Sequence, residues 1–511
     1  MAKQEQNLNL QERAHPCAVW LRRDLRLDDN RCLQEAYKRS KGRIIPLYIL
    51  DPRDYEPNLL GWPRCGAFRG QFLLEALSDL RMKFKRMGSD LVVRIGPPEE
   101  ILPTLADQYG ATHLYTLDPQ DSREAETVRL VNEACYREGI DFVLVEGSTL
   151  YDYSRIPFGE GELPNSFVEF RRILERDATP KAPELAIKKI LPLPMGLRAG
   201  NLPKLESMNL AEFTQDPRTT IPYIGGEAHG LKRLKDYVWE RKLLPYAHSA
   251  RLGLGGEQIS SKLSAWINLG CLSPRRIWYE VLAFEAKHGG SQGVYQMIYH
   301  LTLRDFMIFH AKQMGDKLFE LEGKKGIRQQ WEEDSERFAL WYQGYSGFPL
   351  VDAFMRELST TGYISPRGRQ IISDFFVKKL RLPWTWAASC LETLLIDYHP
   401  AITWGAFQSV AGVGVTLPRS STHPMESGYA VDWEGSYIRF WVPELSQLPN
   451  EFIYQPHLLN EEQQHYLGLY LGQNYPFPLV EPPDFTPREP TPRERNQELI
   501  FERLKRYGRL T

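Results

Sequence analysis

Residues 365–407 read SPRGRQIISDFFVKKLRLPWTWAASCLETLLIDYHPAITWGAF. Two apolar runs with helical spacing, Ile371–Leu380 and Trp386–Ile396, are joined by a Leu-Pro turn, and a proline there stops one helix before the next begins. Polar residues flank both runs: Arg367 and Arg369 lead in, while Asp397, His399 and Thr403 follow. An arginine before one helix and a carboxylate after the next can meet across a pocket. Taken alone, such a pair more often holds a fold than performs chemistry, and Trp384, Trp386 and Trp404 are more often core than redox groups. The stretch predicts a buried helical pocket containing an ion pair.

Upstream the pattern changes. After a short apolar run at Ala18–Leu21, buried-strand candidates at Arg43–Ile49, Asp90–Arg94, His113–Thr116 and Asp141–Glu146 alternate with helical patterns at Arg31–Ser40, Phe68–Met87, Pro98–Tyr109 and Ser122–Glu138. Such alternation predicts a parallel sheet covered on both faces. The expected fold is an α/β N-terminal domain, an open Rossmann-like parallel sheet, joined to a larger all-α domain. The expected boundaries are a polar leader at 1–16, the α/β domain at 17–146, a surface linker rich in Pro and Gly at 147–224, the helical domain at 225–448 and a tail at 449–511. Long helices are expected at Gly293–Met314 and Pro349–Thr360; the tail is expected to be mobile apart from a helical stretch at Asn496–Tyr507. No GxGxxG follows a strand, so a dinucleotide fingerprint is lacking. A ligand of the sheet domain would sit at the carboxyl ends of its strands, near Arg22–Asn30, Tyr48–Tyr55 and Leu117–Asp121.

The chain has 511 residues, 42% of them hydrophobic and 25% charged, which is the composition of a globular protein of two to four domains. Net charge is −2, so no global field draws the molecule to DNA or anionic membranes. One local basic face remains, because Arg367, Arg369, Lys378, Lys379 and Arg381 crowd together with only Asp374 between them; a solvated helix face is the commoner meaning of such a run. The six cysteines, Cys17, Cys32, Cys65, Cys135, Cys271 and Cys390, show no CxxC spacing. They read as reduced thiols of an intracellular protein, with neither a disulfide framework nor a metal site expected. The polar leader has no apolar signal-peptide core.

Several ordered motifs carry a resemblance. AVWLRRDLRLDDN at the first strand, GSTLYDYSRIPF at the start of the linker, GGEAHGLKRL, SSKLSAWINLGCLSPR, GFPLVDAFMREL, TTGYISPRGRQ and AGVGV together resemble the photolyase/cryptochrome family, and most of all its DASH cryptochromes, from about Ala18 to Pro478. The resemblance implies an α/β domain, a wrapping linker and a helical domain that holds FAD. It also implies an antenna near Glu146, a folate such as methenyltetrahydrofolate, and single-stranded DNA as a partner through the basic face.

The implied cofactor residues follow by position. Ser260, Ser261, Lys262, Leu263 and Ser264 form a hydroxyl-rich stretch opening a helix, which is suited to a diphosphate. By itself it would more often be a plain helix cap. Many family members have arginine where Lys262 stands. Tyr246 matches a tyrosine that touches FAD, Arg369 and Asp397 match the ion pair beside the flavin ring, and Arg304 matches a cation lining the same pocket next to Asp305.

The departures from the family pattern bear on activity. Repairing members carry a glutamate at the position of His300 and a tryptophan at that of Leu303; a second stacking tryptophan lies at Ser409. Asparagines of the family are replaced by Pro366 and Thr403, and a carboxylate near the polar edge of the flavin by His399. In the electron-transfer chain the tryptophan nearest the flavin is Phe407, while the two outer ones match Trp384 and Trp331. Trp404 lies three residues from Phe407, near the same helix face, and is the one aromatic bypass in reach.

Three functions remain at this level. The first is a cryptochrome-like flavoprotein, responsive to blue light or signalling by redox state, with little or no dimer repair. The second is an enzyme, a deoxyribodipyrimidine photo-lyase acting on single-stranded DNA. The third is a diverged pocket protein that no longer uses FAD photochemically. His300 and His399 are read as hydrogen-bonded pocket residues rather than metal ligands.

Overall fold

The structure, a computed structural model, describes residues 15–159, 161–247, 259–418, 424–429 and 432–486, with 491, 500, 503, 504, 506 and 507 beyond them. Most of the predicted Asn496–Tyr507 helix lies outside the described residues.

Five strands form one parallel sheet: β1 (Cys17–Leu21), β2 (Ile44–Leu50), β3 (Val92–Ile95), β4 (His113–Leu117) and β5 (Asp141–Val145). Their order is β3-β2-β1-β4-β5. Every residue of β1 and β2 is buried, as central strands covered on both faces require. Edge strand β5 is only partly covered. Asparagine and aspartate start the crossover helices. Asn30 accepts from Leu33 N at 3.0 Å and opens the helix Arg31–Ser40. Asp121 accepts from Arg123 N and Glu124 N at 3.0 and 3.1 Å and opens Ser122–Arg137. Such caps satisfy backbone donors that the first turn leaves unpaired.

The remainder is mostly helical. The 365–407 stretch forms a helix Pro366–Asp374, a π turn Phe375–Lys379, a helix Trp384–Leu394 and a helix Pro400–Ala411. Arg381 takes a positive φ of 54° at the predicted break.

Two expectations change. Residues 147–224 are not wholly irregular, since Phe167–Asp177 is a helix that buries Phe167, Phe170 and Leu174. Phe170 meets Phe306 edge-on at 5.1 Å, so the segment is part of the core. The tail expected to be mobile is also packed: Ile453, Tyr454, Leu459, Leu469 and Tyr475 are buried, and Tyr475 Oη donates to Asp352 Oδ2 at 2.6 Å.

Sheet and helices are joined through backbone. The Glu227 carboxylate accepts from Leu27 N and Asp28 N at 3.0 and 2.7 Å. Arg275 pairs with Asp29 at 2.8 Å and Arg276 with Asp28 at 2.6 Å. Arg26 donates to Gly270 O at 2.9 Å. A Cβ on Gly270, whose φ is +75°, would lie 1.9 Å from Arg23 O, so only glycine allows this approach.

Candidate functional site

The predicted ion pair forms. Arg369, from the helix Pro366–Asp374, places Nη2 2.8 Å from both oxygens of Asp397. Its Nε donates to Ile364 O at 3.2 Å. The Asp397 side chain is 1% exposed and that of Arg369 23%. Burial alone would lower the Arg369 guanidinium, but Asp397 and Tyr363 beside it raise it above its ordinary value. A cation held this firmly next to a buried carboxylate fixes geometry more than it adds stability.

Tyr363 organises the next layer. The Arg369 guanidinium lies 5.4 Å from its ring centroid and Lys262 Nζ 4.7 Å. Lys262 is 3% exposed and has a positive φ of 52°. Ser260 and Ser261 precede it, and their carbonyls accept from Arg233 at 2.8 and 3.0 Å. Arg233 therefore sets the shape of the serine loop. The GLKRL motif contains it without marking this role, since its partners lie more than 25 residues ahead. The helix that follows Leu263 spans only Ser264–Asn268. A single turn supplies little dipole, so any phosphate contact depends on the serine hydroxyls and Lys262 rather than on a long helix terminus. Tyr246 ends a 3-10 turn, Leu244–Tyr246, and is half-buried.

Asn268 links this loop to the pair. Its Nδ2 donates to Asp397 O at 2.5 Å, and its Oδ1 accepts from Arg304 Nε at 3.4 Å. Arg304 also donates to Ser148 O at 2.7 Å. Burial lowers Arg304 to about 10. Asp305, next to it, accepts from Leu150 N and Tyr151 N at 3.2 and 2.8 Å, and burial raises it to about 7. His399, two residues past Asp397, is fully buried with Nε2 at 2.5 Å from Gln120 Oε1. Its Nδ1 has no hydrogen-bond partner among the described residues. Thr403 is buried one turn further on.

The structure brings Arg304, Arg369, Asp397 and Lys262 into one connected set, and ties His399 to the sheet. His300 lies on the helix Gln292–Met314. It is exposed, and its ring nitrogen lies 2.8 Å from Gln296 Nε2 one turn earlier on its helix. Among the positions expected to carry electrons, Trp384 is fully buried and meets Trp404 edge-on at 5.8 Å. Trp404 Nε1 donates to Tyr398 Oη at 3.0 Å. Phe407 is 2% exposed. Trp331 lines a groove of about 670 Å³ with Gln329, Gln330, Val377, Lys378 and Arg381. Sequence reasoning reached Gln120 only as part of the strand end Leu117–Asp121 and gave no role to Arg233, Asn268 or Tyr363, whose ties to Ser260 and Ser261, Asp397 and Lys262 run between distant parts of the chain.

A parallel-sheet domain is thus locked to a helical domain that carries a buried cation–carboxylate pair. The buried unpaired Nδ1 of His399, the buried Lys262 and the Arg369–Asp397 pair suit a cofactor with both a polar ring and a diphosphate. Residues 297–486 match the FAD binding domain of DNA photolyase, and residues 17–187 match the DNA photolyase domain. The chain is 37% identical to Cryptochrome DASH of Gloeobacter violaceus over 464 residues, covering 91% of this chain and 92% of that one. It is also 37% identical to Cryptochrome DASH of Xenopus laevis, covering 91% and 90%. A Synechocystis cryptochrome structure superposes with a TM-score of 0.88 at 35% identity, covering 92% of this chain and 97% of that one. An Agrobacterium tumefaciens class III photolyase follows with a TM-score of 0.79 at 25% identity, covering 97% and 98%. The chain belongs to the photolyase/cryptochrome family, alongside the DASH cryptochromes. Its helical domain is an FAD-binding domain, and FAD supplies light absorption and electron exchange when bound. Among the described residues no helix is long and apolar enough to cross a membrane, and all six cysteines are free and buried.

Proposed function

We propose that the protein is a blue-light-responsive flavoprotein that acts through its redox state and performs little or no dimer repair. One observation carries this reading: the positions that face a lesion in repairing relatives hold groups unable to do that work. Leu303 offers apolar contact without a π face, and Ser409 is a buried hydroxyl. Base–aromatic stacking supplies about 1–3 kcal/mol per base, and neither residue provides it. His300 is engaged with Gln296, and a neutral imidazole does not reproduce the hydrogen bonding of a carboxyl group to a base. Under blue light, purified holoprotein mixed with dimer-containing single-stranded DNA is expected to restore no more dimers than the dark control. Light-dependent restoration with turnover would overturn the reading.

Binding of single-stranded DNA without repair is a second reading, favoured by the groove at Trp331. An indole sits there beside Lys378 and Arg381; an aromatic platform next to cations suits an unpaired strand. Salt-dependent binding of undamaged oligonucleotide, weakened by Trp331→Ala, would support it.

A methenyltetrahydrofolate antenna belongs to the first reading. Both Glu146 oxygens already accept from Ser154, from its N at 2.9 Å and its Oγ at 2.6 Å. A folate would compete with that turn, so extraction is expected to return less than one folate per flavin.

A further inference from the structure

His399 is fully buried, and its surroundings decide which form the imidazole takes. Nε2 lies 2.5 Å from Gln120 Oε1. A carboxamide oxygen only accepts, so Nε2 carries the hydrogen. Burial, with the Arg23 and Arg304 guanidiniums nearby, holds the ring well below the ordinary histidine value, so it is neutral. A neutral ring protonated at Nε2 has a bare lone pair at Nδ1, and nothing among the described residues donates to it. Leaving a buried acceptor unmet is destabilising. Two donors of the pocket are engaged elsewhere: Asn268 Nδ2 with Asp397 O, and Arg304 Nη1 with Ser148 O. Among the described residues the place of that donor is open to a group of a bound ligand.

We infer that Gln120, a residue of the sheet domain, holds His399 in its Nε2–H tautomer so that Nδ1 accepts a hydrogen bond from the bound flavin. The flavin group concerned is a ring imide N–H or a ribityl hydroxyl. The pocket then keeps an acceptor where the family pattern has a carboxylate, without the negative charge. Gln120 acts as a positioning residue, and this role rests on FAD binding alone, independently of any light response.

The primary test is ¹⁵N NMR of histidine-labelled holoprotein. The expected signal is two fully buried rings in the neutral Nε2–H form, those of His310 and His399, both unchanged between neutral and mildly acidic pH. Two substitutions then separate the nitrogens. His399→Asn puts a carboxamide oxygen near the place of Nδ1, and His399→Gln puts its amide near the place of Nε2. FAD affinity is expected to stay within about threefold in His399→Asn and to fall about tenfold in His399→Gln, where tenfold is about 1.4 kcal/mol. Gln120→Leu is expected to weaken binding similarly and to yield a mixed tautomer signal. An Nδ1–H or doubly protonated ring in the unsubstituted holoprotein overturns the inference, and so does retention of affinity in His399→Gln with loss in His399→Asn. Because the first readout needs no variant, a substitution that fails to fold leaves it intact.

Discussion

On the proposed reading Phe407 stands where the family pattern has its innermost redox tryptophan, and phenylalanine is far harder to oxidise than indole. The tryptophan one turn earlier, Trp404, meets Trp384 edge-on at 5.8 Å. An electron lost from Trp404 can therefore be refilled from Trp384 without passing through Phe407. Slow photoreduction is expected in the native protein, faster photoreduction in Phe407→Trp, and loss of the remaining rate in Trp404→Phe; flavin absorbance under blue light reads all three. Fast native photoreduction that survives Trp404→Phe would move the route to other residues. The Arg369–Asp397 pair yields a stability prediction. Asp397→Ala strands a largely buried guanidinium, so urea unfolding is expected to show a loss of about 3 kcal/mol. This pair was readable from sequence, since its members bracket the two apolar runs Ile371–Leu380 and Trp386–Ile396. The ties of Gln120 to His399 and of Arg233 to the serine loop were not, because only folding brings those partners together.

Elements were legible where burial left no choice. The strands at Cys17–Leu21 and Ile44–Leu50 are apolar throughout, and their expected bounds differ from those observed by a residue at most ends. The helix Phe167–Asp177 escaped notice because its five apolar residues, three of them buried, lie between Pro-rich flanks. It is held from both sides: Phe167 N donates to Thr416 O at 3.3 Å, and just before it His310 Nε2 lies 3.0 Å from Pro164 O. Lys324 Nζ lies 3.1 Å from His310 Nδ1 and 2.6 Å from Asn165 Oδ1. An ammonium only donates, so His310 Nδ1 accepts and the ring is neutral. Burial, with Lys324 beside it, lowers His310 from 6.5 to about 4. The folded value is depressed, so the stability it contributes is present above pH 6.5 and is lost as pH falls towards about 4. Between about pH 7 and about pH 5 the native protein is expected to lose about 2 kcal/mol more than His310→Gln. Equal losses in urea titrations at both pH values would contradict this.

At the scale of the whole molecule, the C-terminal segment behaves as core. Asp352 is fully buried and accepts from Ser346 N and Ser346 Oγ at 2.7 and 2.6 Å as well as from Tyr475. Tyr475→Phe is expected to cost about 1 kcal/mol, since one donor to a buried carboxylate is lost while others remain. It should also speed proteolysis after residue 449; unchanged stability and cleavage would show that the contact is idle. Composition misled here: the Pro- and Glu-rich sequence near the end hid the buried Ile453, Tyr454 and Tyr475 among polar neighbours.

The seam at Gly270 has a further consequence. Backbone meets backbone there, with Glu227, Arg275 and Arg276 fastening the first βα turn on the opposite side. Domains joined by side chains alone can part and rejoin, but here separation would expose buried peptide groups and buried charges together. The sheet and the helices should thus share one cooperative fate. Their slowest amide protons are expected to exchange through the same global opening, so that neither half persists as a folded remnant once the other has come apart.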